Sequence, residues 1–101
     1  MQQDKLVIPK SRIVEFCRRH HIRQLALFGS VLREDFNPES DIDVLVEFEP
    51  GHVPGLALIR MQDELSALLG GRQVDLVTPK FLHPRIRDRV MAEMEIQYAQ
   101  G

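Results

Sequence analysis

A single cysteine, Cys17, stands in the 101 residues. It excludes an internal disulfide and a cysteine metal cluster, and beside Ile13 and Phe16 on an apolar helical face it is expected to pack as a small hydrophobe. No run of about 18 apolar residues is present, and the N-terminal MQQDKLVIPK has too short an apolar stretch for a cleavable leader, so a cytoplasmic protein with no membrane association is expected. The four histidines, His20, His21, His52 and His83, show no metal-ligand spacing along the chain, and His20-His21 reads as a helix end. A broad basic face is also missing. The net charge of −2 argues against direct nucleic-acid binding. Repeats and low-complexity segments are absent, and 101 residues with 44% hydrophobic content suit one domain spanning residues 1–101 rather than two.

What is present is concentrated in LALFGSVLREDFNPESDIDVLVEF. An apolar run from Leu25 to Phe28 stops at Gly29-Ser30, a polar segment carries Arg33 and Asp35, and a second apolar run from Ile42 to Phe48 follows Asp41 and contains Asp43. Two strands joined by a short helical turn fit this pattern. Residues spaced i, i+2 on a strand share one face, so Asp41 and Asp43 would project together, about 7 Å apart along the chain. Such a pair of carboxylates can hold divalent ions, and oxygen-only donors suit magnesium. Two ions about 3.5–4 Å apart would hold an attacking hydroxyl and a departing pyrophosphate in line. Gly29 allows close backbone approach and an unusual φ at the strand end, and Ser30 stands at a possible helix N-terminus where backbone N–H groups favour an anion. Arg33, three residues beyond Ser30, would share its face and could steady phosphate oxygens, or pair with Glu34 or Asp35.

These residues, Gly29-Ser30, Arg33, Asp35, Ser40-Asp41, Asp43 and Val44-Leu45-Val46, resemble the signature of the minimal nucleotidyltransferases, small members of the DNA polymerase β-like superfamily. The likeness is close from Leu25 to Phe48 and looser to Asp75. It implies a third carboxylate on a neighbouring strand, and Asp75, in Gln73-Val74-Asp75-Leu76-Val77, is the candidate. Glu47 is in phase with Asp41 and Asp43 but about 13 Å from Asp43 along a straight strand, which favours Asp75. The resemblance further implies a magnesium-dependent protein adenylyltransferase. ATP would be its substrate, and its partner a helical HEPN toxin ribonuclease whose tyrosine receives AMP. In that role the protein would be the antitoxin. A non-catalytic antitoxin acting by binding, and a homodimeric small-molecule nucleotidyltransferase, are the two other functions this sequence admits.

The remaining pattern predicts an α/β fold, a small mixed sheet packed with helices, in the order helix, strand, short helix, strand, helix, strand, helix. Ser11 is placed to cap a first helix reaching about His20. Pro54-Gly55 precedes a second helix with Leu58, Met61, Leu65 and Leu68 inward, closed by Gly70-Gly71. Pro84 opens a last helix whose Ile86, Val90 and Met94 form a further core stripe. Charge is uneven: seven acidic residues and no Lys or Arg lie from Glu34 to Ile59, whereas Lys80 to Arg89 holds four basic residues and one acid. The Arg85, Arg87 and Arg89 cluster is expected to meet a partner or the triphosphate.

Overall fold

In the computed structural model, residues 8–32, 40–52 and 54–100 are described. Helix α1 (Lys10–Arg19) leads into strand β1 (Ile22–Phe28), and a short 3-10 helix (Gly29–Leu32) follows it. Strand β2 (Ile42–Phe48), helix α2 (Ala57–Leu68) and strand β3 (Val74–Val77) come next. A second 3-10 helix (Pro79–Phe81), helix α3 (Pro84–Glu93) and strand β4 (Glu95–Ala99) complete the chain. The sheet order is β3-β2-β1-β4, with β1 antiparallel to both its neighbours and β2 parallel to β3. This is the mixed sheet with packed helices expected from the pattern.

Three expectations are corrected. A fourth strand, β4, follows α3 and pairs with β1, where the sequence pattern ended in a helix. Pro9 rather than Ser11 occupies the cap position of α1, and no side chain caps it; Ser11 lies inside the helix. The α3 stripe is not core: no residue of α3 is buried, and Ile86 is exposed. The reason is position, since among the described elements α3 has no extensive packing partner.

The core lies between one face of the sheet and helices α1 and α2. Ile13, Phe16 and Cys17, spaced to share one helical face, meet Ile22, Leu25 and Leu27 of β1, Ile42, Val44 and Val46 of β2, and Val74 and Leu76 of β3. Met61, Leu65 and Leu69 close it from α2, with Leu58 and Leu68 half-buried at its margin. The alternation along β2 sends Ile42, Val44 and Val46 to this face and Asp43, Leu45 and Glu47 to the other. Glu64 ties the two helices together by accepting hydrogen bonds from Arg19 and from His20 Nε2, the latter at 2.9 Å. Helix α2 ends as its glycines require: Gly70 and Gly71 take φ of +78° and +81°, and the Gly71 N–H donates to the Ser66 carbonyl at 2.9 Å. That turn reverses the chain into β3. Because β3 is an edge strand, its Leu76 N–H faces away from β2, and the Gln62 side chain of α2 accepts it at 3.0 Å. No helix among the described residues is long and apolar enough to cross a membrane.

Candidate active site

The register of the sheet brings the candidate residues together. Phe28 pairs with Asp43 across β1 and β2, and Asp43 pairs with Asp75 across β2 and β3. Neighbouring strands lie about 4.8 Å apart, and residues in register on parallel strands point to the same face, so two carboxylates from strands 32 positions apart in sequence become direct neighbours. Both face away from the helices, because Val74 and Leu76 on either side of Asp75 fill the core. Asp75 is exposed and Asp43 half-buried. Asp41 stands one residue ahead of β2 and is exposed.

Gly29 follows Phe28 immediately, so it lies beside Asp43. Its φ is +76°, a region that residues with a Cβ rarely adopt, and a Cβ built there would fall 2.3 Å from Asp43 Oδ2. The glycine is therefore required twice, by its own backbone and by the carboxylate packed against it. Ser30 is the second residue of the 3-10 helix Gly29–Leu32, so the strand-to-helix turn predicted for Gly29-Ser30 is present. Arg33 and Asp35 lie outside the described residues.

Arg72 is a neighbour of this region that sequence reasoning missed. Its guanidinium donates to the Ser40 carbonyl at 3.3 Å, and its own carbonyl accepts from Ser66 Oγ at 2.5 Å. The Ile42 N–H donates to the Gln73 carbonyl at 2.8 Å. Together these bonds fix the entry of β2, with Asp41 in it, to the approach of β3. A basic residue directly after Gly70-Gly71 and ahead of the Asp75 strand was the available signal.

A cavity of about 450 Å³ lies elsewhere. It lies at the far end of β2, between Val46, Phe48, Leu58 of α2 and Thr78 to Phe81. Its lining on β2 begins at Val46 and reaches Phe48, three to five residues from Asp43, or about 10–17 Å along the strand, so this apolar hollow and the aspartates are separate places. An open, polar sheet end suits a triphosphate better than an apolar hollow does, and we place the candidate site at the aspartates.

The histidines also depart from expectation. His21 and His52, which showed no ligand spacing in sequence, lie stacked with ring centroids 3.9 Å apart and Glu49 beside them. The turn Glu49-Pro50-Gly51-His52 makes this possible: Gly51 has φ of +84°, and the His52 N–H donates to the Glu49 carbonyl at 3.0 Å.

Comparison with known proteins identifies the family. The nucleotidyltransferase domain family matches residues 10–96. A protein of Methanocaldococcus jannaschii that bears the name protein adenylyltransferase is 37% identical over 84 residues, covering 83% of this chain and 88% of that one. The protein adenylyltransferase MntA of Thermococcus cleftensis is 38% identical over 81 residues, 79% of each chain. Among solved structures, one described as a minimal nucleotidyltransferase superposes with a TM-score of 0.70 at 36% identity, covering 84% of this chain and 85% of that chain. A toxin-antitoxin structure with AMP-PNP shares the fold, with a TM-score of 0.73 at 20% identity over 91% of this chain and 74% of that chain. On the strength of a family match over most of its length and of relatives well above 30% identity, the chain belongs to the nucleotidyltransferase domain family, among the minimal nucleotidyltransferases.

Proposed function

We propose that this protein is the antitoxin of a HEPN toxin-antitoxin pair, and that it transfers AMP from ATP to a tyrosine of the toxin ribonuclease, which blocks the toxin. The observation that carries the chemistry is the in-register pair Asp43 and Asp75 with Gly29 packed against Asp43 Oδ2. The choice of acceptor rests on the relatives named protein adenylyltransferase and on the shared fold with a toxin-antitoxin protein.

The donor set fits magnesium, since Asp41, Asp43 and Asp75 offer only carboxylate oxygens and no nitrogen or sulfur. These three residues would hold it, as two ions in this reading; bound there, magnesium would neutralise phosphate charge and favour departure of pyrophosphate. The chain's own residues do the rest. The Gly29-Ser30 turn presents backbone N–H groups to the triphosphate, and Arg33 steadies its oxygens. The phenol oxygen of the acceptor attacks the α-phosphorus, the bond from that phosphorus to the bridging oxygen of pyrophosphate breaks, and Asp75, where it does not complete the metal site, takes the phenol proton. In this reading the acceptor tyrosine and the surface around it come from the partner.

Intact-mass analysis of the genomically adjacent protein, purified with this chain and treated with ATP and magnesium, tests the reading. A gain of one or more adenylyl groups, located on tyrosine, is the expected result. Stable binding with no mass change would replace catalysis by neutralisation through binding alone.

A further inference from the structure

At the end of the sheet remote from the aspartates, three metal-ligating side chains from two separate segments converge. His21 closes the turn between α1 and β1, while Glu49 and His52 form the ends of the turn after β2. Their nearest donor atoms, two imidazole nitrogens and one carboxylate oxygen, all lie within 4.8 Å of one another. We propose that His21, Glu49 and His52 form a binding site for a first-row transition ion of the zinc type, separate from the aspartate site.

The backbone is built to keep the three together. The Glu49 N–H donates to the His21 carbonyl at 2.8 Å and the His52 N–H to the Glu49 carbonyl at 3.0 Å, so each ligand position is hydrogen-bonded to the next. His21 sits at φ 58°, the left-handed region that histidine enters more readily than most residues but still at a cost, and this turn directs its ring over His52. The carboxylate is oriented as well. Gln100 Nε2 donates to Glu49 Oε2 at 2.5 Å, which leaves Oε1 toward His21 Nδ1, 3.9 Å away. A partner holding the second oxygen of a ligating carboxylate is the usual outer support of a metal site.

The donor set selects the ion. Two imidazoles and a carboxylate suit zinc or a similar borderline ion, whereas magnesium prefers oxygen alone. Ligands at about 2.1 Å from a tetrahedral ion are about 3.4 Å from each other, so the side chains need to close by about 1 Å. His21 and His52 are exposed, and neither is held by core packing, so rotation about their side-chain bonds achieves this. Three protein donors leave a fourth position for water or for a group from outside. Glu49 and His52 also line the large cavity, so a bound ion would fix one wall of it.

The test is titration of zinc chloride into chelator-treated protein with excess magnesium present, which occupies carboxylate-only sites and spares imidazoles. One zinc per chain should bind, with a melting temperature that rises with zinc concentration. His21→Asn, chosen because asparagine tolerates the same backbone conformation, and His52→Gln should each weaken binding at least about tenfold, and Gln100→Ala by about tenfold. Circular dichroism of each variant without metal should match that of the unmodified protein, because all three side chains are exposed. Zinc affinity unchanged in both histidine variants, or no saturable binding, would overturn the site.

Discussion

Gly29 lies so close to Asp43 that the Cβ of any other residue at position 29 would stand 2.3 Å from the Asp43 carboxylate oxygen Oδ2. Gly29→Ala therefore has to move either the turn or the carboxylate, in addition to straining a backbone at φ +76°. A loss of about 1–3 kcal/mol in denaturant unfolding is expected. Nucleotide binding should fall further than the stability loss explains, because Asp43 is displaced. Calorimetry with ATP at a temperature where the variant is fully folded measures the second effect separately.

Asp43 and Asp75 are neighbours in register, so both carboxylates face the same place on the open side of the sheet. Asp43→Asn and Asp75→Asn should each reduce adenylyl transfer by orders of magnitude, a loss far larger than any change in melting temperature explains, because each replacement keeps the side-chain shape and removes only the charge. The double variant should be hardly worse than either single one if both act on the same ions or the same transfer step. Rates that multiply instead would show two independent roles. Wild-type transfer by either single variant would remove that residue from the site.

Much of this arrangement was legible in the sequence, and the part that was not has a physical cause. The apolar runs on either side of Gly29-Ser30 carry both period and punctuation, so β1, β2 and the turn between them could be read directly. Asp75 is reached through the resemblance, which implies a third carboxylate on a neighbouring strand, and the apolar Val74 and Leu76 on either side of it fit that strand. Strand β4 could not be read: Glu95–Ala99 follows α3 with no glycine to mark the break, and none of its residues is buried. The α3 stripe has helical spacing, but spacing cannot say whether a surface exists to receive it. His21 and His52 are brought together by the Glu49 to His21 hydrogen bond at the end of the β1 and β2 pair, a tertiary event that spacing along the chain does not record.

Glu64 gives the fold a dependence on pH. Burial pushes its carboxyl up, but hydrogen bonds from Arg19 and His20, with their charges, outweigh this and hold it below the usual value of 4.5. A carboxyl with a lowered native pKa contributes stability that is present above that value and is lost as pH falls through the native one. Unmodified protein should therefore lose more stability than Glu64→Gln between neutral pH and about pH 3. The effect is small, since both partners touch solvent. Equal losses in thermal melts at the two pH values would mean that this bridge between α1 and α2 contributes nothing.

Cys17 gives the opposite sign at the alkaline end. Burial pushes its thiol from 9.0 up to about 12. A raised native pKa means stability that is intact below 9.0 and declines as pH rises toward 12. The folded protein should leave Cys17 unlabelled by a thiol reagent at neutral pH, and denaturant should expose one thiol per chain. Rapid labelling under native conditions would show that α1 opens from the sheet far more often than a core residue allows.

The parallel pairing of β2 with β3 has a bearing on the order in which the protein is made. A parallel neighbour cannot be reached by a tight turn, so Asp75 arrives beside Asp43 only after the whole of α2 has been synthesised and laid across the sheet. The β1 and β2 hairpin, with Gly29 and Asp43, can form on a nascent chain well before that moment. Nucleotide affinity is then expected to appear in a single late step, when the segment through Val77 has left the ribosome. A stalled chain ending before Val74 would hold one carboxylate strand and lack the other.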